Sequence, residues 1–327
     1  MIFNKFFILF KIGRKIGKSN IINIVSETHK IPVFIKLFFN LLAFSFSTSN
    51  ETKSKGKENL SESIQEMGTT FIKLGQFLAT RPDIIGEKLS KELESLQDKL
   101  PPFSKKEAEK IIIENLGQSN FDDIIDLSEP IAAASIAQVH KAKIKEDNII
   151  KNVAIKVLRP NIKKIFNDEI DAIMLLAYIV ESLISKTKRL KLIEVVFLFK
   201  EITNHEMDLR FEAAAANEYA ENTKNDLGFF VPKIYWNFTS ESVLTLDWVD
   251  GVSIREKDLL KEKNIETSKI ATNLIQHFLR HAVRDGFFHA DMHQGNIFIN
   301  ESSQIVPIDF GIMGRIDKLS RRYLAEI

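Results

Sequence analysis

The stretch HADMHQGN at residues 289–296, followed by DFG at residues 309–311, decides the fold. Asp291 precedes Asn296 by five residues, and Asp309 follows Asn296 by thirteen. Two short apolar runs lie between the motifs and predict a small hairpin that joins two polar loops. The three oxygen-bearing side chains are therefore expected to converge beside one hairpin.

Oxygen ligands on adjacent turns suit one type of chemistry. Phosphoryl transfer needs a carboxylate near the nucleophile and hard oxygen ligands for a divalent cation. Kinase-like enzymes take these groups from an Asp-x-x-x-x-Asn loop and from an Asp-Phe-Gly turn one hairpin later. We predict Asp291 as the catalytic residue, Asn296 and Asp309 as ligands of Mg²⁺ or Mn²⁺, and ATP as the nucleotide. The plainer alternative, two unrelated polar turns beside a hairpin, leaves the joint spacing unexplained.

A lysine in the run VAIK at residues 153–156 is the second signal. Such a lysine in a β-branched run usually faces solvent at a sheet edge. Because an Asp-Phe-Gly turn follows far downstream, we predict instead that Lys156 contacts the α- and β-phosphates. A lysine in this role needs a glutamate to hold it in place. We expect that partner to be Glu212, with Glu206 as the alternative.

An alanine-rich stretch stands where a kinase-like protein has its glycine-rich phosphate loop. Alanine resists backbone geometries that glycine permits, so this loop should narrow the ways in which a nucleotide can sit. Alone, the run would indicate only the packing of small residues, and its position ahead of Lys156 gives it meaning. The residues predicted to form this cofactor-binding loop are Ile131, Ala132, Ala133, Ala134, Ser135, Ile136, Ala137, Gln138 and Val139.

A polar face is predicted on a helix near the N-terminus. Lys73, Gln76 and Thr80 recur at the spacing that places side chains on one side of a helix. From the spacing alone, a solvated polar face is the better interpretation.

The composition excludes several classes of function. A net charge of +1 gives no case for nucleic-acid binding, and the absence of cysteine excludes disulfides, thiolate metal sites and cysteine nucleophiles. His289 and His293 flank Asp291 and are expected to brace the loop by hydrogen bonding. Four further histidines show no shared metal spacing and are interpreted as structural: His140, His205, His277 and His281.

Positive charge is concentrated at the N-terminus. Residues 1–60 hold ten Lys and Arg against three Asp and Glu. The apolar runs at residues 6–10 and 31–46 are shorter than the roughly 20 residues of a spanning helix, and the first does not resemble a cleavable signal peptide. We interpret them as an interfacial amphipathic anchor on an anionic membrane surface. The alternative is a helix packed on the protein's own surface.

The order of predicted elements indicates an α+β protein with a two-lobed, protein-kinase-like fold, a helical N-terminal extension and an incomplete C-terminal lobe. Helices are predicted over residues 61–79, 85–96, 105–116, 162–186, 192–222 and 267–284. Strands are predicted over residues 131–145, 152–158, 231–236, 242–248, 297–299 and 305–308. The predicted domains are a membrane-contact segment with its linker (1–57), the helical extension (58–125), an N-lobe with inserted helices (126–250) and a partial C-lobe (251–327).

Together these motifs resemble the UbiB family of atypical kinases, which is linked to ubiquinone biosynthesis. The resemblance runs from about residue 61 to the C-terminus and rests on FIKLGQFLATRPD, LQDKLPP, AAASIAQVH, VAIK, EMDLRFEAAAAN, HADMHQGN and DFG. It implies that Lys73 and Gln76 belong to a regulatory preface that covers the cleft, with Glu206 and Asp208 as the acidic pair that the preface engages. It also implies ATPase or small-molecule chemistry more than the phosphorylation of proteins.

The resemblance further implies a place and partners. The expected location is the cytoplasmic face of the bacterial inner membrane, peripheral or anchored. The expected partners are the membrane lipid surface, other ubiquinone-biosynthesis enzymes and quinone-precursor lipids, with no nucleic acid.

Two departures from the family pattern stand out. Gln294 occupies a position where the family usually has proline, and only sixteen residues follow Gly311, so the chain is expected to be truncated at its C-terminus. Two other functions stay open: a small-molecule kinase of the aminoglycoside-phosphotransferase type, and a catalytically silent scaffold that senses ATP.

Overall fold

The computed structural model describes residues 2–18, 60–94, 96, 100–183 and 185–326. These residues form two compact units that alternate along the chain. Unit 1 comprises Met1–Pro101, Ala133–Ile136 and Asn161–Asn204, and unit 2 comprises Pro102–Ala132, Ala137–Pro160 and His205–Ile327.

The first half of the chain is mainly helical and ends in a strand pair. Its helices are α1 (Ile2–Lys18), α2 (Leu60–Met67), α3 (Thr69–Ala79), α4 (Pro82–Ile85), α5 (Glu87–Leu93), α6 (Lys105–Leu116) and α7 (Gln118–Asp122). Its strands are β1 (Ile124–Ile125), β2 (Pro130–Ala133), β3 (Ala137–Glu146) and β4 (Ile149–Leu158).

The second half mixes long helices with short strands. The helices are α8 (Ile162–Leu183), α9 (Leu192–Glu206), α10 (Leu209–Thr223), α11 (Lys257–Glu262), α12 (Thr267–Arg280) and α13 (Lys318–Glu326). The strands are β5 (Val243–Asp247), β6 (Gly251–Ser253), β7 (Phe287–His289), β8 (Ile297–Asn300), β9 (Ile305–Pro307) and β10 (Met313–Arg315). This mixture confirms the predicted α+β class.

The described residues of unit 1 include two apolar clusters. Ile12 of α1 is buried with Met67, Phe71 and Ala172, so α1 packs on helices of its own unit. The other cluster joins α2 and α5 through leucines. A single break interrupts the predicted helix 61–79 at Gly68, whose φ of 103° is a conformation that glycine adopts without strain.

Helix α1 packs on other helices of its own unit, as expected from the alternative interpretation of a helix packed on the protein's own surface. Phe7 and Phe10 lie on its exposed part, and the Lys11 ammonium stands 4.6 Å from the centre of the Phe7 ring. The apolar run at residues 31–46 and the predicted linker at 47–57 lie outside the described residues. None of the helices that the structure describes combines the length and apolar character that crossing a bilayer requires.

Unit 2 contains an antiparallel sheet with the order β1-β3-β4-β5, and β2 pairs with β3 beside it. Along β4 the fully buried Val153, Ile155 and Val157 alternate with the half-buried Ala154 and Lys156. Helix α6 covers this core with Ile112. Ser104 and Glu107 form a capping box at its start, and Gly117 follows its last residue.

Three further predictions of secondary structure need correction. The single helix predicted over 192–222 is two helices, because Asp208 accepts a hydrogen bond from the Arg210 amide and caps a new helix, α10. The strand predicted over 231–236 is wrong: Ile234 forms only an isolated bridge to Leu246, and Pro232 lacks the N–H that a ladder needs. The helix predicted over 267–284 is α only to Arg280 and continues as a π turn, His281–Asp285.

Candidate functional site

A buried ion pair stands at the centre of the site. Lys156 lies in β4, between β3 and β5, and its Nζ donates to Glu212 Oε1 at 2.8 Å and Oε2 at 2.9 Å. The same ammonium reaches Asp309 Oδ2 at 3.3 Å. Glu212 belongs to the first turn of α10 and is only 7% exposed. We call Lys156, Glu212 and Asp309 the phosphate-site cluster.

The charges of this cluster depend on one another. Burial alone would lower the pKa of Lys156, but Asp309 and Glu212 together raise that pKa above its ordinary value. Burial raises the pKa of Glu212, and Lys156 offsets part of that rise. The lysine is therefore held in its cationic form, which is the form that attracts a phosphate.

The catalytic-loop residues meet at the hairpin. The side-chain nitrogen Nδ2 of Asn296 donates to Asp291 Oδ2 at 3.2 Å. This hydrogen bond involves the nitrogen of the Asn296 side chain and not its oxygen. The Asn296 carbonyl accepts from the Ile308 amide at 3.0 Å, one residue before Asp309. Strands β8 and β9 pair as the predicted hairpin, so the two polar loops leave the same end of it.

His289 joins these two loops. Its Nε2 donates to the Asp309 carbonyl at 2.6 Å, and its Nδ1 accepts from the Asp291 amide at 3.2 Å. Burial lowers the pKa of His289, which keeps the ring neutral and preserves this donor and acceptor pattern. His293 accepts from the Gly295 amide within the loop, so both histidines brace it by hydrogen bonds as expected.

The Asp-Phe-Gly turn is anchored at its phenylalanine. Phe310 is 2% exposed, and its ring packs near Tyr219 and His289. The Phe310 amide also donates to Glu212 Oε1 at 3.4 Å, so the glutamate that pairs with Lys156 contacts this turn as well.

The alanine-rich loop runs from the end of β2 into β3. Gln138 is fully buried and exchanges hydrogen bonds with the backbone N–H and C=O of Phe103. Ser135 is fully buried too, and within unit 1 its carbonyl accepts from Thr69 Oγ1 of α3 at 3.3 Å. The helix that carries the predicted preface therefore contacts the loop predicted to bind nucleotide.

The remaining regulatory candidates lie in different units. Lys73 and Gln76 are half-buried on α3 of unit 1. Glu206 ends α9 and Asp208 caps α10, both in unit 2. Their predicted engagement stays a prediction.

A second polar cluster was missed by the sequence reasoning. Tyr219 Oη donates to His281 Nδ1 at 2.6 Å, and His281 Nε2 donates to Asp226 Oδ2 at 2.9 Å. Arg284 binds both oxygens of Asp226, and His277 lies beside His281. We call these five residues the histidine cluster. The four-residue spacing of His277 and His281 was a usable signal, but Asp226 lies 51 positions before His277.

The residues of the predicted Mg²⁺ site fit such an ion. Carboxylate and amide groups supply the hard oxygen atoms that Mg²⁺ prefers, and Asp309 is 42% exposed, which leaves it accessible to a ligand. Lys156 is the cation that would balance phosphate oxygens bound there.

Comparison with known proteins gives a consistent picture. The ABC1 atypical kinase-like domain matches residues 95–327. A protein named probable protein kinase UbiB from Marinobacter nauticus is 35% identical over 301 residues, 90% of this chain and 54% of that protein. Its namesake from Tolumonas auensis is 35% identical over 91% of this chain and 55% of its own length. The chain thus spans about half the length of these curated relatives.

A solved structure extends the comparison to three dimensions. It is described as the complex of Rv3197 with erythromycin from Mycobacterium tuberculosis, and it matches with a TM-score of 0.51 over 74% of this chain and 59% of that chain. The sequence identity is 24%, so the likeness is one of fold.

Proposed function

The chain belongs to the ABC1 atypical kinase-like family, and from that premise we propose that it binds ATP with Mg²⁺ and catalyses ATP hydrolysis or phosphoryl transfer. The observation that carries the proposal is the phosphate-site cluster, in which one buried ammonium lies within 3.3 Å of carboxylates from a helix and from the Asp-Phe-Gly turn. A structural ion pair would need only one of these carboxylates.

Each residue has a distinct part in the proposed reaction. Lys156 binds phosphate oxygens, while Asn296 and Asp309 hold the cation. Bound Mg²⁺ supplies neutralisation of the phosphate charge and alignment of the triphosphate. Asp291 orients a water or hydroxyl and accepts its proton as the new bond to phosphorus forms and the bond to ADP breaks. General-base catalysis of this kind contributes typically about 10²–10⁴-fold.

We place this activity in support of ubiquinone biosynthesis at the cytoplasmic face of a bacterial inner membrane. The relatives named UbiB support this role, and so does the exposed aromatic and basic part of α1 with Phe7, Phe10 and Lys11. The proposed partners are an anionic lipid surface, enzymes of ubiquinone synthesis and quinone-precursor lipids.

Release of phosphate from ATP tests the proposal. The assay compares Mg²⁺ with excess chelator, and wild type with Asp291→Asn, in the presence and absence of anionic liposomes and quinone precursors. We expect turnover that requires Mg²⁺ and falls about 10²-fold or more in the variant. Turnover that survives both chelation and the substitution would refute the catalytic assignment. Lys73→Ala adds a separate arm, in which a changed rate supports a regulatory preface.

A further inference from the structure

The histidine cluster contains a second set of metal-binding groups. One ligand atom each from Asp226, His277 and His281 lies within 4.8 Å of the other two. A tetrahedral Zn²⁺ ion with bonds of about 2.0–2.2 Å places its nitrogen and oxygen ligand atoms about 3.4 Å apart, which lies inside that limit. Among the residues that the structure describes, this is the one group of three such side chains that meets this geometric condition.

The local fold explains how these side chains come together. His277 and His281 are four residues apart, which places them on one face of the helix. At His281 the backbone changes from α12 into the π turn, a feature frequently found at functional sites. This turn carries His281 and Arg284 to Asp226, which lies beyond the end of α10.

His277 gives an independent sign that a partner is missing from the protein alone. Its side chain is 4% exposed, and its Nδ1 is buried without a hydrogen-bond partner among the described residues. Buried polar atoms are usually satisfied, and an unsatisfied one costs stability. With a metal ion beside His281 and Asp226, the His277 imidazole would act as a ligand of that ion.

His281 is oriented in the way that metal-binding histidines usually are. Its Nδ1 contacts the Tyr219 hydroxyl, which fixes the ring while Nε2 faces Asp226.

Arg284 is the main competitor for Asp226. Its guanidinium binds both Asp226 oxygens, and Arg280 approaches to 4.0 Å. However, Arg284 is 43% exposed and also pairs with Asp285 at 2.6 Å. Arg284 therefore keeps its ion pair with Asp285 when Asp226 binds another cation.

We propose that Asp226, His277 and His281 bind a first-row transition-metal dication, with Zn²⁺ as the expected ion and water completing its coordination. Two imidazoles and one carboxylate are the donor set that such ions favour over Mg²⁺. In the bound state His281 carries its proton on Nδ1 and donates it to the Tyr219 oxygen, while Nε2 binds the metal. This site is distinct from the phosphate-site cluster and does not depend on ATP chemistry.

Metal titration of the full chain, prepared without a polyhistidine tag and stripped with chelator, tests the proposal. Zn²⁺ bound at equilibrium is measured by elemental analysis, and Co²⁺ serves as a spectroscopic probe of nitrogen ligation. We expect one Zn²⁺ per chain, with affinity lowered at least about tenfold by His277→Gln and by Tyr219→Phe. His205→Gln is the matched control, because His205 is exposed and lies outside the cluster. Asp309→Asn should leave Zn²⁺ binding unchanged.

A variant that should bind metal more tightly sharpens the test. Arg284→Gln removes the competing guanidinium, so we expect Zn²⁺ affinity to rise by about tenfold. His277→Gln removes no hydrogen bond that the structure gives to Nδ1, so it should stay folded by circular dichroism even where His281→Gln does not. The proposal is overturned by the absence of stoichiometric Zn²⁺ or Co²⁺ in the wild type. Binding that His277→Gln leaves intact overturns it equally.

Discussion

The phosphate-site cluster and the histidine cluster each include one residue of helix α10, and they hold buried basic groups in opposite charge states. Glu212 in the first turn holds Lys156 as a cation, whereas Tyr219 two turns later contacts a histidine that burial keeps neutral. In one cluster carboxylates outweigh desolvation, and in the other desolvation outweighs a carboxylate. The difference teaches that a buried carboxylate does not by itself decide the charge of its partner.

The largest difference should appear in turnover. We expect Asp309→Asn to lower kcat/KM for ATP hydrolysis by about 10³-fold, because the substitution removes a charged ligand where Mg²⁺ and the phosphates would bind. Asp226→Asn is the matched change in the histidine cluster and should lower kcat/KM by less than about fivefold. Steady-state kinetics over a range of Mg²⁺ concentrations measures both. Equal losses in the two variants would erase the functional distinction between the clusters.

Stability gives the next comparison. Glu212→Gln keeps the side-chain shape but leaves Lys156 with Asp309 alone, so we expect the free energy of unfolding to fall by about 2 kcal/mol. Denaturant unfolding monitored by circular dichroism provides the measurement. Glu218→Gln is the control, since its partner Arg315 is well exposed and such surface pairs contribute at most about 1 kcal/mol. A larger loss in the control would show that burial is not what makes the Lys156 pair matter.

The pH dependence of stability should separate the clusters further. Burial lowers the pKa of folded His277, aided by Arg280 and Arg284 and opposed by Asp226. The unfolded chain therefore binds more protons, and stability falls as pH drops below the unfolded histidine value of about 6.5 toward the lower folded value. His277→Gln should make this slope shallower by up to about 1.4 kcal/mol per pH unit. Thermal unfolding between pH 5 and 7 tests it, and an unchanged slope would mean that His277 is protonated alike in both states.

How far the sequence predicts these clusters depends on where the information lies. Asp291, Asn296 and Asp309 sit in short motifs with one hairpin between them, so their proximity followed from spacing alone. Lys156 and Glu212 are far apart in sequence, and their pairing was predicted from the motif context and is now seen as a hydrogen-bonded contact.

The histidine cluster shows the limit of that approach. Asp226 contacts His281 through a π turn that no local sequence pattern predicts. The strand predicted over 231–236 is wrong because its apolar run contains Pro232, which has no backbone N–H to donate to a neighbouring strand. The sequence patterns did not predict which distant segments contact each other, because tertiary packing decides those contacts.

The smallest expected effect concerns the catalytic loop. Gln294 opens the turn Gln294–Asn296, and His293 before it has φ −62° and ψ 142°, an extended conformation that a residue preceding proline prefers. The Gln294 carbonyl, which accepts from Ser253 Oγ at 3.1 Å, would be retained by proline. We therefore expect Gln294→Pro to stabilise the protein by about 0.5 kcal/mol through a less flexible unfolded chain.

Gln304→Pro is the control and should destabilise, because the Gln304 amide donates to Asn300 Oδ1 at 2.9 Å and proline would remove that donor. Loss of stability in Gln294→Pro would mean that this loop needs the glutamine backbone N–H, and that its order comes from hydrogen bonding rather than from restricted backbone angles.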